Sequence, residues 1–182
     1  MSKAIVFFAD GFEECEGLLV VDLLRRAGID VTTASINGSL KILSSHGITL
    51  FADTIAEDAD YASADIVILP GGLKGTENLA ASSFVREKCL EFADGKKAAA
   101  ICAAPSIFAS LGLLDGRKAT VHPNFEDRMP GAELTHAQVT VDGNITTGQA
   151  LGAAIPFALE LIRQLEGEEK VAKVQKGICF SN

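Results

Sequence analysis

A single thiol lies inside a run of small side chains. Residues 97–107 read KAAAICAAPSI, with Ala100 and Ala104 two positions before and after Cys102, and Pro105 next. Small residues at these two positions are what a sharp strand-to-helix turn around a nucleophile needs, and such a turn would leave Cys102 exposed at its tip. The N–H groups that open the following helix would lower the pKa of such a thiol. A free cysteine is just as often a small buried hydrophobic residue, so the segment alone supports both interpretations about equally.

Three acids stand close together in the segment GFEECEG, residues 11–17. Glu13 and Glu14 are explained by the start of a helix, where the helix dipole favours carboxylates. Glu16 lies further into the helix and could face the edge of a sheet. A carboxyl group turned inward beside a thiolate would be partly desolvated, would stay protonated and could pass a proton. The sequence leaves open which of the acids points inward.

The segment LPGG, residues 69–72, follows a strongly apolar run. Gly71 and Gly72 let the backbone approach a ligand closely and offer N–H groups to an oxyanion. A tight turn that requires positive φ explains the glycines equally well, and the two explanations are compatible. Neither G-x-G-x-x-G nor a Walker sequence occurs, so nothing favours a nucleotide.

The three histidines differ in how well their sequence context suits a role in catalysis. His122, directly before Pro123, is a candidate base or hydrogen-bond partner because an imidazole titrates near neutral pH. A structural histidine is the commoner alternative there. His136 is typical of a loop, and His46 lies in a turn whose position relative to the other residues is open.

Apolar runs alternate with helical patterns along the chain. Strands are predicted at KAIVFFA, IDVTTASI, ADIVIL, KAAAI and KATVH, with a short one at residues 48–51 and a hairpin at QVTVDGNITTG. Helices are predicted at EGLLVVDLLRRAG, SSFVREKCLEFADGK, APSIFASLGLL and AAIPFALELIRQLEG, the last followed by a charged tail. Fully apolar strands that alternate with helices are typical of a parallel sheet covered on both faces.

Ligands of such sheets bind at the carboxyl ends of the strands. The first strand leads into the acidic segment, ADIVIL into the two glycines, KAAAI into Cys102 and KATV into His122. An acid, a glycine pair, a thiol and an imidazole are therefore predicted to leave the same edge of one sheet.

Length and charge limit the classes of function. The chain of 182 residues, 48% hydrophobic and 22% charged, fits one α/β domain over residues 1–182. A net charge of −8 argues against nucleic acid and anionic membranes as partners. No apolar stretch approaches the roughly 20 residues of a membrane span, and the N-terminus does not resemble a signal peptide. We therefore expect a cytoplasmic protein with four free cysteines and no zinc site.

Five segments together resemble the ThiJ/PfpI superfamily, in its deglycase branch within the class I glutamine amidotransferase-like fold. They are FADGFEECE, LPGGLKGTENL, AAICAAPSI, TVHP and FALELI, in this order. The resemblance implies a flavodoxin-like three-layer sandwich that forms a homodimer and uses neither a cofactor nor a metal. It also implies a role for six residues, with Cys102 as nucleophile, Glu16 as its protonated partner, His122 close by, and the backbone of Gly71, Gly72 and Ala103 as oxyanion donors.

The activity implied by the resemblance is that of a cofactor-independent glyoxalase or protein deglycase. Its substrates would be methylglyoxal, glyoxal or their early protein adducts. A redox-sensing stress protein or chaperone that uses oxidation of the same cysteine is the alternative. A protease or amidase is disfavoured, because Ala103 stands where the protease-like branch has histidine. Two further departures are His46 in place of arginine and Ala150-Leu151-Gly152 in place of Gly-Pro-Gly.

Overall fold

A central sheet of seven strands organises the chain in this computed structural model, which describes residues 1–180. Four other strands form two separate pairs, β3 with β4 and β8 with β9. In chain order, the strands of the described residues are β1 (Lys3–Phe8), β2 (Asp30–Ser35), β3 (Lys41–Leu43), β4 (Thr49–Phe51), β5 (Thr54–Ile55), β6 (Ile66–Leu69), β7 (Lys97–Ile101), β8 (Lys118–Ala119), β9 (Glu133–Leu134), β10 (Val139–Asp142) and β11 (Ile145–Gly148). The helices are α1 (Glu14–Arg26), α2 (Leu73–Ala81), α3 (Ser83–Ala93), α4 (Pro105–Ser110), α5 (Ala154–Glu166) and α6 (Glu168–Gly177).

The strands of the main sheet follow the order β10-β11-β7-β6-β1-β2-β5. Every neighbouring pair is parallel except β10 and β11, which form the predicted antiparallel hairpin. The carboxyl ends of β1, β6 and β7 therefore meet at one edge of the sheet. The predicted α/β fold with a mostly parallel sheet is confirmed, and it matches the flavodoxin-like sandwich.

Side chains of β1 alternate between two hydrophobic cores. Ala4, Val6 and Phe8 pack in the core that contains residues of α1, α5 and α6. Ile5 and Phe7 belong to the core on the opposite face, with residues of α2, α3 and α4. Burial on both faces explains why the strand is apolar throughout rather than alternating. The sheet is thus the middle of three layers.

The strand predicted at KATVH is shorter than expected and lies outside the main sheet. Only Lys118–Ala119 forms a strand, and it pairs with β9 in a separate two-stranded sheet. The next amide, Thr120 N, donates to the Thr147 side chain at 2.9 Å rather than to a strand backbone. The prediction that this strand belongs to the main sheet is wrong, because β10 lies against β11 and forms that edge.

Several further elements differ from the sequence prediction, and helix α2 and strands β5 and β9 were not predicted at all. Helix α4 ends at Ser110, before Gly112 with its positive φ of 72°, so it is shorter than predicted. The charged tail is helical as α6, because Val171 and Val174 are buried in the core. Strand β4 was expected, but its antiparallel partner β3 was not. Among the helices of residues 1–180, none has both the length and the apolar character needed to cross a membrane.

Candidate active site

Cys102 occupies the sharp turn between β7 and α4. Its backbone has φ of 65°, in the left-handed region that non-glycine residues rarely adopt. Its N–H donates to Gly148 O at 3.0 Å, and its C=O accepts from His122 N at 2.9 Å. These two bonds hold the strained residue in place. The predicted strand-to-helix turn is present, but the residue at its tip is partly buried rather than exposed as expected.

Glu16 is the acid that reaches this thiol. Its side chain lies at the start of α1, and the residue is only 1% exposed. Glu16 Oε2 accepts a hydrogen bond from Gly71 N at 3.1 Å, and the Cys102 side chain lies beside the same carboxyl group and acts on its pKa. A buried carboxyl group, a thiol and the LPGG turn therefore meet at the carboxyl edge of the sheet.

Gly71 is required for space. A Cβ atom on Gly71 would lie 2.4 Å from Glu16 Oε2, 2.5 Å from Cys102 Cβ and 3.0 Å from Cys102 Sγ. The two reactive groups thus approach each other across a position that has no side chain. Gly72 has a different requirement, since its φ is 93° and a Cβ there would lie 2.5 Å from Gly11 O.

Two of the three predicted oxyanion donors face the sulfur. The N–H groups of Gly72 and Ala103 act on the Cys102 sulfur, where they lower the pKa of the thiol. The N–H of Gly71 is instead donated to Glu16, so it orients the acid rather than facing the sulfur. Binding of an oxyanion by Gly72 and Ala103 stays a prediction, and for Gly71 that prediction competes with a hydrogen bond already formed.

The charges of Glu16 and Cys102 are coupled. Burial raises the pKa of Glu16 to about 7, with the Glu13 charge adding to the rise and hydrogen bonds from Cys102 and Gly71 opposing it. Burial, together with the charge and hydrogen bonding of Glu16, raises the pKa of the Cys102 thiol to about 12, although the N–H groups of Gly72 and Ala103 oppose this. The expected lowering of the thiol pKa is therefore wrong, because burial is the largest cause of the rise and the charge of Glu16 adds to it. Protonation of Glu16 removes the repulsion and supplies an O–H donor to the sulfur, so a thiolate requires the proton on Glu16.

His122 reaches Cys102 through its backbone. Its side chain has another contact, because Nδ1 accepts from Asn124 N at 3.2 Å at the start of the 3-10 helix Pro123–Arg128. The ring also packs edge-on against Phe125. An acceptor role for Nδ1 puts the proton of the neutral ring on Nε2. His136 lies elsewhere in an exposed loop and pairs with Glu126 at 3.2 Å.

Glu14 and the β3–β4 hairpin form a contact that the sequence did not predict. Glu14 is buried, and its carboxylate accepts from Ser45 Oγ at 3.0 Å and contacts His46 Nδ1 at 2.9 Å. Burial alone would raise its pKa, but hydrogen bonds from its own N–H, Ser45 and Ser44 and the charge of His46 lower it to about 2. Helix capping thus explains Glu13 but not Glu14. No periodic pattern in the sequence could have placed His46 over this carboxylate.

Glu13, Glu14 and His46 also offer ligand atoms within 4.8 Å of one another. These are the residues among 1–180 whose spacing suits a divalent cation. Each is already engaged within the protein, Glu13 with the amide of Glu16 and Glu14 with Ser45 and His46. These contacts hold the start of α1 in place, and we assign no metal to the three residues.

Known sequences match almost the whole chain. The DJ-1/PfpI family profile matches residues 2–164. The chain is 37% identical over 185 residues to Protein dj-1beta of Drosophila melanogaster, covering 100% of this chain and 99% of that protein. It is also 37% identical to Protein DJ-1 homolog B of Arabidopsis thaliana, a longer protein of which the match spans 40%.

Two further relatives bear on the activity and on the fold. Deglycase TK1284 of Thermococcus kodakarensis is 33% identical over 172 residues, covering 90% of this chain and 99% of that protein. The solved structure of oxidised Toxoplasma gondii DJ-1 superposes with a TM-score of 0.95 at 32% identity, covering all of both chains. The likeness extends over every layer of the fold.

Proposed function

Since the chain belongs to the DJ-1/PfpI family, we propose that it is a cofactor-independent glyoxalase or protein deglycase. Its substrates are methylglyoxal, glyoxal or their early adducts on proteins. The observation that carries this proposal is the contact between the Cys102 thiol and the buried Glu16 carboxyl group. A deglycase among the relatives, 33% identical over 90% of this chain, supports the reaction class.

The first step is addition of the sulfur to the aldehyde. The proton of Cys102 passes to Glu16, and the thiolate attacks the aldehyde carbon. A C–S bond forms, and the carbonyl π electrons move onto oxygen. The resulting alkoxide then takes the proton from Glu16, which gives the hemithioacetal and returns Glu16 to its carboxylate form. The N–H groups of Gly72 and Ala103 lie around the sulfur, where they are able to donate to the developing oxyanion.

The second step is an internal transfer of hydrogen. A base removes the proton from the former aldehyde carbon, and a proton returns to the neighbouring ketone carbon. The aldehyde carbon is oxidised to a thioester while the ketone carbon is reduced to an alcohol, so no external oxidant is needed. Water then cleaves the thioester and releases a 2-hydroxy acid and the free thiol.

Glu16 suits the proton transfers better than His122. A pKa raised by burial to about 7 lets a carboxyl group both take and return a proton near neutral pH. The Nδ1 atom of His122 is already held by Asn124. Glu16 is therefore assigned as the acid and base, with His122 contributing its backbone N–H to the elbow.

The experiment is conversion of methylglyoxal to lactate in the absence of glutathione. Wild type should form lactate, and Cys102→Ala should reduce the rate to that of buffer. Cys89→Ala, which removes a thiol buried in the core, is the matched control and should keep the wild-type rate. Circular dichroism verifies that each variant is folded, and equal rates for wild type and Cys102→Ala would refute the proposal.

Oxidation of Cys102 is a second candidate function. A partly buried thiol between two N–H donors is suited to hold the oxygens of a sulfinic acid, and the Toxoplasma gondii relative was solved in oxidised form. Two equivalents of hydrogen peroxide would each transfer one oxygen atom to the sulfur and leave as water. Mass spectrometry after mild peroxide should show two added oxygens on the peptide containing Cys102. An oxidised protein that binds its partners as the reduced one does would end this idea.

The homodimer and the cytoplasmic location stay predictions. Apolar side chains in the β3–β4 hairpin are exposed, among them Ile48 at 50% and Phe51 at 71%, which supports a partner surface. Analytical ultracentrifugation measures the dimer directly, and a monomer at micromolar concentration would contradict it.

A further inference from the structure

Glu13 is the residue next to the reactive pair whose charge the mechanism has not used. Its side chain caps α1, with Oε2 accepting from Glu16 N at 2.6 Å. Its own N–H donates to Gly71 O at 2.9 Å. Glu13 is thereby fixed between Glu16 and the glycine that separates Glu16 from Cys102.

The charge on Glu13 is not neutralised by a cation. None of the ion pairs found within residues 1–180 includes it, whereas the adjacent Glu14 pairs with His46 at 2.9 Å. A carboxylate held beside a buried carboxyl group opposes ionisation of that group. Burial is the largest cause of the raised pKa of Glu16, and the charge of Glu13 adds to it. The other groups that act on Glu16 are the Cys102 thiol and the Gly71 N–H, and both of these favour its ionised form.

We propose that Glu13 is a positioning residue that keeps the proton on Glu16 and so sets how much of Cys102 is thiolate at neutral pH. The proposal rests on the proposed function only in taking Cys102 as the reacting group. Glu13 acts through its negative charge, and capping of the helix is a separate role that a neutral acceptor can also fill.

The pair of Glu16 and Cys102 gives this proposal a distinctive pH signature. After loss of one proton, the remaining proton lies either on Glu16, which leaves a thiolate, or on the sulfur. The rate of alkylation follows the thiolate form, so it rises with pH and levels off above the pKa of Glu16. Loss of the Glu13 charge makes Glu16 easier to ionise, which moves the midpoint to lower pH and also lowers the plateau.

The midpoint and the plateau must change together. For each unit by which the midpoint falls, the share of thiolate on the plateau falls about tenfold, since both reflect ionisation of Glu16. On the acid side of the midpoint Glu16 is protonated in every variant. The alkylation rate there depends only on the thiol and stays at the wild-type value.

Glu13→Gln is the variant that isolates the charge, because its amide oxygen still accepts from Glu16 N. Iodoacetamide labelling between pH 5 and 9, with the Cys102 peptide quantified by mass spectrometry, gives the profile and separates it from Cys15. We expect a lower midpoint, a plateau reduced by the matching factor and an unchanged acid limb. Glu14→Gln is the matched control, since it removes the neighbouring carboxylate that faces Ser45 and His46, and its profile should equal that of wild type.

Glu13→Ala removes both the cap and the charge and should show the same midpoint as Glu13→Gln. A midpoint that moves in Glu13→Ala but not in Glu13→Gln would overturn the proposal, because capping alone would then act. An equal shift in Glu14→Gln would also overturn it. Labelling does not require turnover, so a protein inactive on methylglyoxal with the expected labelling profile would refute the proposed function and leave this inference standing.

Discussion

Cys102 and Cys89 are two thiols whose pKa values are both raised to about 12, and their surroundings could hardly differ more. Cys89 lies fully buried in α3, within the core on one face of the sheet. Cys102 is partly buried at a left-handed turn, with Glu16 and two N–H groups facing its sulfur.

The causes of the two pKa shifts teach more than their size. Burial alone raises the pKa of Cys89, and no neighbouring group is placed to reverse it. At Cys102 burial is again the largest cause, but Glu16 adds to the rise, and that addition disappears when the acid takes up a proton. Burial is common to the two thiols, and what distinguishes Cys102 is the set of polar groups that face its sulfur atom.

Replacement of Glu16 by glutamine should have the largest effect on the difference in reactivity between Cys102 and Cys89. Glu16→Gln keeps the size of the side chain but cannot carry a proton between carbons, so turnover of methylglyoxal should fall about 10²- to 10⁴-fold. The labelling midpoint of Cys102 should also leave its wild-type position near 7 and move to higher pH, because the group that titrates there is Glu16. A midpoint that stays near 7 in this variant would contradict the assignment, and Cys89 in the folded protein should remain unlabelled throughout.

A methyl group between the acid and the sulfur should have a smaller effect. Gly71→Ala puts a Cβ within 2.5 Å of both Glu16 and Cys102, which forces the two groups apart. A misplacement of this kind lowers kcat/KM by about 10- to 100-fold, with most of the fold intact. Gly177→Ala is the control, since a Cβ there meets nothing within 4 Å. Comparable losses in both variants would show that the spacing at Gly71 is not what matters.

The smallest effect is expected in the core. Cys89→Ala removes one buried sulfur atom and leaves a small cavity, which should lower the free energy of unfolding by about 1 kcal/mol. Urea denaturation measures this change, and the rate of lactate formation should equal that of wild type. A large loss of activity in Cys89→Ala would erase the distinction between the two thiols.

Sequence patterns sufficed for the elements that bring the site together. Runs of apolar residues predicted β1, β6 and β7 as buried parallel strands, and parallel strands put Glu16, Gly71 and Cys102 at one edge. Charged α6 was missed because its buried stripe consists mainly of Val171 and Val174, which is a weak periodic signal.

The electrostatics of the site could not be predicted in the same way. The pKa of Cys102 depends on which groups face its sulfur, and the sequence places Glu13, Glu14 and Glu16 within four positions without showing where each one points. The partner of Glu14 comes from the β3–β4 hairpin, about 30 residues further along the chain. Contacts between segments so far apart leave no local pattern.

The left-handed backbone at Cys102 lowers the stability of the fold at the position that carries the reactive thiol. Glycine is the residue that adopts such a conformation without steric cost, and any other side chain there costs about 1 to 2 kcal/mol. A library of variants screened only for heat resistance would thus favour Cys102→Gly, which is more stable but lacks the reactive thiol. The cysteine persists at this turn only where something other than thermal endurance is under selection.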